Sequence, residues 1–317
     1  MNIGIIINSI AVLLISLIFI ISIFILILII FRIRSLFSNV TYLLIFNTYI
    51  STCLTSIILF IMYTYSLYGD LNPSISFDNV WCKIRAYLVF VGYCMFFNTF
   101  VLQAMFRLFR IAFYRRKSLQ SREFFIIAFI IQWILSFILP LSSLLPNDYE
   151  YMPLYFTCWI SFQNIRGTLT PIVLIYGSSI SVIFFIYVYI IRYIRRTNRI
   201  QQVRQRSNER DLLVLKRIVI LILVTVSIGL PSVFIFLVYV IGHYLIPYTH
   251  HIEGICLITG LFTATICFTI ISPQIKKLFR HNQQQIYPIE LIGNNQDHRT
   301  RTFQQLTHQH QQRSILT

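Results

Sequence analysis

Residues able to do chemistry are sparse in this 317-residue sequence, which has ten Asp or Glu, seven His and six Cys. One cluster stands near the end of an apolar stretch and contains His243, His250, His251 and Glu253. Such a group could bind a metal or sense protons, but the pattern favours solvated loop histidines. No apolar stretch contains a Ser-His-Asp set, paired carboxylates or a His-x-x-x-His spacing. We therefore expect no enzyme activity and no resident metal or cofactor.

Seven long stretches without Asp, Glu, Lys or Arg dominate the chain. Only 11% of the residues are charged, whereas a soluble domain has roughly 25%. Each stretch exceeds the roughly 20 apolar residues that a helix needs to cross a bilayer. The sequence predicts an all-α bundle of seven transmembrane helices, without a cleaved signal peptide. The predicted spans are approximately 5–31, 40–66, 82–110, 123–146, 166–194, 212–242 and 250–272.

Basic residues collect on one side of these predicted spans. Of the 26 Lys and Arg, all but Lys83, Arg85 and Arg166 lie in alternate connections or in the C-terminal tail. Basic segments stay cytoplasmic, so we expect an extracellular N-terminus and a plasma-membrane protein that crosses the bilayer several times. Attraction to anionic lipids accounts for the net charge of +16. Membrane lipids are therefore expected partners, and nucleic acid is not.

Two of the six cysteines fall at or beyond the predicted outer membrane boundary. These are Cys82, at the start of the third span, and Cys158, between the fourth and fifth spans. The extracellular compartment is oxidising, so we predict a Cys82–Cys158 disulfide that holds this loop over the mouth of the bundle. The alternative is two free thiols.

The spacing of several residues resembles that of rhodopsin-like G-protein-coupled receptors. Arg107 follows Cys82 by 25 residues, the separation that this family keeps between its disulfide cysteine and the arginine at the end of span three. Trp133 and Pro231 match the family's span-four tryptophan and span-six proline. Tyr187 is similar to its tyrosine near the inner end of span five. The whole pattern is similar to that of divergent, lineage-expanded invertebrate chemoreceptors and orphan receptors.

The chain also departs from this family's pattern. Thr52 stands in place of the span-two aspartate, Phe106 in place of the acid before the arginine, and Gly229 in place of the span-six tryptophan. Ser179 replaces the span-five proline, and the span-seven Asn-Pro-x-x-Tyr motif is altered. Without these oxygen ligands the resemblance implies no interior sodium site.

The resemblance implies a switch at the cytoplasmic end, formed by Arg107, Asp211 and Tyr187. Breaking an Arg107–Asp211 pair would let span six move outward and expose a groove for a heterotrimeric G protein. In that case, Asp211→Asn raises ligand-free signalling. Alternatively, Arg107 extends to lipid phosphates while Asp211 offsets Arg210.

The same resemblance implies a ligand pocket on the extracellular side, lined by Val89, Phe90, Tyr93, Ser232, Val233, Thr259, Phe262 and Thr263. Val89 replaces the aspartate of amine receptors, and Thr263 replaces the retinal lysine of opsins. We therefore expect a small, weakly polar or peptide-like ligand rather than a biogenic amine or a retinal chromophore. A transporter, a channel or a non-signalling seven-span receptor remains the alternative function.

The C-terminal region is expected to differ from the bundle. Residues 274–281 have the pattern of a short amphipathic helix at the cytoplasmic membrane interface. Residues 282–317 are rich in Gln, His and Asn and are expected to be a disordered cytoplasmic tail. The predicted receptor domain is therefore 1–281.

Overall fold

The computed structural model describes residues 3–32, 39–198, 205–243, 248–272 and residue 275. The side chains of residues 32, 197, 198, 205–222 and 225 lie outside this description. The elements, in chain order, are α1 (Ile3–Arg32), α2 (Val40–Leu71), α3 (Val80–Ile111), a 3-10 turn (Lys117–Gln120), α4 (Arg122–Leu144), β1 (Tyr149–Met152), β2 (Thr157–Ile160), α5 (Ile165–Pro171), a π-helical segment (Ile172–Gly177), α6 (Ser178–Asn198), α7 (Gln205–Gly242) and α8 (Thr249–Ile271).

Helix starts follow side chains that accept hydrogen bonds from the first, otherwise unpaired, backbone N–H groups. Asn39 caps α2, Asn79 caps α3, Ser121 caps α4 and Asn164 caps α5. Short polar side chains of this kind stabilise helix N-termini by about 1 kcal/mol each. These polar capping residues therefore mark where the helices begin.

Six of the described helices are long and apolar enough to cross a membrane. They correspond to α1, α2, α3, α4, the continuous run from α5 through α6, and α8. The described part of α7 adds a shorter apolar stretch, Val226–Gly242. The chain is thus a multi-pass membrane protein built as a helical bundle.

The most deeply buried of these spans is α3. It packs against α2, α4 and α6, while α1 packs against α2 and α8, and α7 packs against α8. Because α3 is long and buried, it connects one end of the bundle with the other.

Buried amides join the helices at the centre of the bundle. Asn47 donates to Gln132 Oε1 over 2.7 Å and accepts from Trp133 Nε1 over 3.1 Å, which links α2 to α4. Gln132 also donates to the Met95 carbonyl of α3, and Gln103 of α3 donates to Thr48. Hydrogen bonds of Asn47, Gln103 and Gln132 thus join α2, α3 and α4 inside the bundle.

The helix that follows the hairpin is irregular near Pro171. Its first turns are α-helical, the next six residues are π-helical and the remainder is α-helical again. Insertions of this kind are frequent at functional sites because they re-aim side chains. Here Ile175 and Tyr176 lie in the π-helical segment, and both side chains face a cavity.

Met1–Ile271 form one compact unit, and Ser272–Thr317 form a second. Of the second unit, the structure describes only Ser272 and Ile275. The predicted interfacial helix 274–281, apart from Ile275, and the predicted tail 282–317 lie outside the described residues.

Candidate ligand site and the opposite end of the bundle

A β-hairpin closes one end of the bundle, which we call the hairpin end. Strands β1 and β2 pair antiparallel, with Tyr149 opposite Ile160 and Tyr151 opposite Cys158. The sequence predicts only a loop for this segment, within an all-α fold. The difference has a physical basis, because the hairpin is shaped by its attachments to the helices rather than by a strong strand pattern of its own.

The predicted Cys82–Cys158 disulfide is present, with Cα atoms 5.4 Å apart. Both cysteines are buried, and they pack with Ala86, Tyr149 and Ile160. The bond ties β2 to the first turn of α3. The hairpin is therefore covalently anchored to the most buried helix.

Polar contacts hold the hairpin at two further points. Ser66 of α2 donates to the carbonyl of Tyr155 in the hairpin turn over 2.7 Å. Asn164, the cap of α5, donates to Asp148 over 2.8 Å. Burial raises the pKa of Tyr149 and of Tyr155, so both hydroxyls are neutral at physiological pH.

Beneath the hairpin lies a first cavity, with about 670 Å³ of empty space including its open mouth. Its walls come from α3, β2, α5, the π-helical segment, α7 and α8, and six of the lining side chains are aromatic. The aromatic lining residues are Phe90, Tyr93, Phe97, Trp159, Phe162 and Tyr176. A cavity with apolar walls and few polar groups is typical of small-molecule sites.

A second cavity, of about 520 Å³ counted in the same way, adjoins the first. Tyr93, Trp159, Glu253 and Leu257 line both cavities. The second cavity extends to Asn8 of α1 and is also lined by residues of α2, the hairpin and α8. These four shared residues form the partition between the two spaces.

The expectation of solvated loop histidines is wrong for His251, which is buried in the first turn of α8. His250 is half-buried, with its ring stacked on Phe162 at a centroid distance of 4.9 Å. Glu253, which the sequence analysis placed in the same loop cluster, is also buried. The hairpin lies over the first turn of α8 and buries it. The position of a charge-free run in the sequence could not predict this burial. His243, the fourth member, lies at the end of α7.

The residues expected to line a pocket divide into two groups. Phe90, Tyr93, Ser232 and Val233 line the first cavity. Val89 is fully buried and, like Phe262, lies outside the lining of both cavities.

Thr259 and Thr263 lie on an exposed face of α8. Their hydroxyls donate to carbonyls of their own helix, so neither needs a polar partner inside the bundle. The cavity-facing side of α8 is formed instead by Glu253 and Leu257, one helical turn apart. The motif spacing placed these residues on α8, but it did not predict which face of α8 points toward the cavities.

Tyr176 connects the first cavity to α7. Its hydroxyl donates to the Val226 carbonyl over 2.5 Å. A Cβ atom on Gly229 would lie 2.3 Å from the Tyr176 ring, so this ring occupies the space next to a residue without a side chain. Gly229 is the position where the resemblance expects a tryptophan, and an aromatic ring from another helix fills that region. Sequence spacing could not identify Tyr176, because its role depends on the π-helical segment.

At the other end of α3, which we call the Arg107 end, Arg107 donates to the Tyr187 hydroxyl over 2.6 Å. Tyr187 is buried on α6. Two of the three predicted switch residues are thus in contact. The side chain of Asp211, the third, lies outside the described residues, so the predicted Arg107–Asp211 pair stays a prediction.

Phe106 packs into an apolar cluster at the same end. Its ring lies 5.3 Å from that of Phe125, and the cluster also includes Leu43, Leu44 and Leu102. An acid at this position would be partly buried among hydrocarbon side chains. The replacement of the family's acid by Phe106 is therefore compatible with the packing of α2, α3 and α4.

Comparison with known proteins does not identify a family for this chain. No protein-family model matches the chain, and a search of curated proteins finds no significant match.

Proposed function

We propose that the chain is a divergent rhodopsin-like G-protein-coupled receptor that crosses the plasma membrane seven times, with its hairpin end outside. A small or peptide-like ligand binds beneath the hairpin, and a heterotrimeric G protein engages the Arg107 end. In this proposal the stretch Val226–Gly242 of α7 belongs to the sixth span, and α8 is the seventh.

The observation that carries the proposal is the route through Tyr176. This residue lines the first cavity and donates a hydrogen bond to Val226 of α7. Pro231 lies five residues further along α7, and its missing N–H leaves a carbonyl without its helical donor. A ligand that displaces the Tyr176 ring would act on α7 where its own hydrogen bonding is weakest.

The same helices reach the opposite end of the bundle. Tyr93 lines the cavity, and Arg107 follows it by 14 residues on α3, or about 21 Å of helix. Arg107 bonds Tyr187 on α6, the helix that continues from the π-helical segment. Movement of α7 relative to α3 and α6 would expose the Arg107–Tyr187 pair to a G-protein helix.

The test is G-protein activation in cells that express the chain with each class of Gα subunit. We expect the wild type to activate at least one class without added ligand. Arg107→Gln removes the charge that faces the bundle and should abolish this activity at equal surface expression. Arg110→Gln is the matched control, because Arg110 is exposed on the same helix, and it should retain activity.

A transporter or channel is the competing function. Equal activity of the wild type, Arg107→Gln and mock-transfected cells with every Gα class would contradict the receptor proposal. An ion current or solute flux that depends on expression of the chain would then favour the alternative.

A further inference from the structure

Glu253 is a carboxylate inside the bundle rather than on its surface. Its side chain is 9% exposed, and it lies in the first turn of α8 beneath the hairpin. It lines both cavities and therefore faces the space between them. An ionised carboxylate is costly to bury unless a positive partner or several hydrogen bonds compensate it.

The protein compensates this charge only weakly. The Nδ1 atom of His250 lies 3.6 Å from Glu253 Oε2, beyond hydrogen-bond distance. That Nδ1 atom is itself buried and has no hydrogen-bond partner among the described residues. Among the described residues that line the two cavities, no Lys or Arg is present and Glu253 is the sole carboxylate. Among these lining residues, the imidazoles of His250 and His251 are thus the only possible positive partners of Glu253.

The walls around Glu253 suit a cation as well. Tyr93 and Trp159 line both cavities with it, and the Phe90 ring packs against that of Trp159 at a tilt, with centroids 4.9 Å apart. The faces of aromatic rings attract ammonium and guanidinium groups, most strongly where water is excluded. In addition, the Ser232 hydroxyl lines the first cavity and is buried, with no hydrogen-bond partner in the part of the chain that the structure describes.

We propose that the ligand carries a positively charged nitrogen that pairs with Glu253, with its apolar body held between the aromatic walls. The inference rests on the proposed function and narrows its ligand class to aromatic or alkyl amines, amidines and guanidines. The sequence favoured a weakly polar ligand because Val89 replaces an aspartate on α3. In the structure Val89 lines neither cavity, and the negative charge comes from α8 instead.

Binding of small probes to the purified chain in nanodiscs tests this inference without any G protein. The probes are 2-phenylethylamine, benzamidine and phenylguanidine, each compared with the uncharged 2-phenylethanol by ligand-observed NMR. The measurement is made near pH 8, where imidazole is ordinarily neutral and alkylamines are charged. We expect at least one cationic probe to bind the wild type at about 1 mM or below.

Glu253→Gln keeps the size of the side chain and removes its charge. It should weaken binding of the cationic probe by about tenfold or more while leaving 2-phenylethanol unaffected. Glu150→Gln is the matched control, since Glu150 is an exposed acid on β1, and it should bind like the wild type. Glu253→Asp should retain part of the preference for the cation.

Two results would overturn the inference: no cationic probe binds the wild type at this concentration, or Glu253→Gln binds the cation as tightly as the wild type does. Because the assay contains no transducer, either result leaves the receptor proposal intact. Conversely, absence of G-protein activation would leave a measured cation preference standing.

Discussion

Buried amides at the centre of the bundle are hydrogen-bonded between helices, whereas polar atoms beside the cavities at the hairpin end are buried without such partners among the described residues. In the centre, Asn47 and Gln132 bond each other and further partners on neighbouring helices. At the hairpin end, Ser232 Oγ and His250 Nδ1 belong to residues that line the cavities, and both atoms are buried without a hydrogen-bond partner among the described residues. Paired amides fix the relative positions of helices, whereas unpaired groups beside a cavity are available to a ligand. We therefore propose that the centre acts as a scaffold and that the hairpin end acts as a binding surface.

Loss of the disulfide should lower the stability of the protein more than the other changes considered below. The bond closes a loop with a sequence separation of 76 residues, so its removal in Cys82→Ala/Cys158→Ala should lower the free energy of unfolding by up to about 4 kcal/mol. Thermal unfolding in nanodiscs measures the change. Cys267→Ala, which removes a free cysteine, is the control and should unfold near the wild-type temperature. Equal unfolding temperatures for both variants would show that the hairpin is held without the bond.

A smaller loss is expected from Gln132→Met, which keeps the volume of the side chain but removes its bonds to Asn47 and Met95. The cost should be about 1–2 kcal/mol, because Asn47 keeps only its bond with Trp133. Chemical denaturation in detergent measures it, with the exposed Ser142→Ala on the same helix as control. A change no larger than that of Ser142→Ala would mean that the central amides do not act as scaffold.

The smallest effect on stability is expected from Gly229→Ala. Its Cβ atom would meet the Tyr176 ring at 2.3 Å, and displacing that ring loses its bond to Val226, at a cost of about 1 kcal/mol. The main effect of this substitution is expected on ligand-free G-protein activation, since the contact joins the cavity to α7. The control is Gly242→Ala, where a Cβ atom would meet nothing within 4 Å. Identical signalling by the two variants would remove Tyr176 from the proposed route.

Features governed by the transfer of long segments into lipid were predictable from the sequence. Charge-free runs located most helix ends to within a few residues, although α2 ends five residues later and α7 begins seven residues earlier than predicted. Compartment chemistry selected Cys82 and Cys158. Features that depend on contacts between segments were not predictable. The burial of Glu253 requires a hairpin above it.

Local polarity was also an incomplete guide to which helix faces line the cavities. Thr259 and Thr263 satisfy their hydroxyls within their own helix, so their polarity does not reveal which face of α8 points inward. Tyr176 lines a cavity from a π-helical segment, and the sequence pattern did not predict that geometry. The central scaffold was thus easier to anticipate than the candidate site.

The central claim is that the hairpin end and the Arg107 end face opposite sides of the membrane, with seven crossings between the chain ends. Epitope tags at both ends of the chain, detected by antibodies in intact and in permeabilised cells, test this claim most directly. We predict that the N-terminal tag is accessible in intact cells and that the C-terminal tag becomes accessible only after permeabilisation. Detection of both tags in the same compartment would require an even number of crossings and would contradict the receptor proposal.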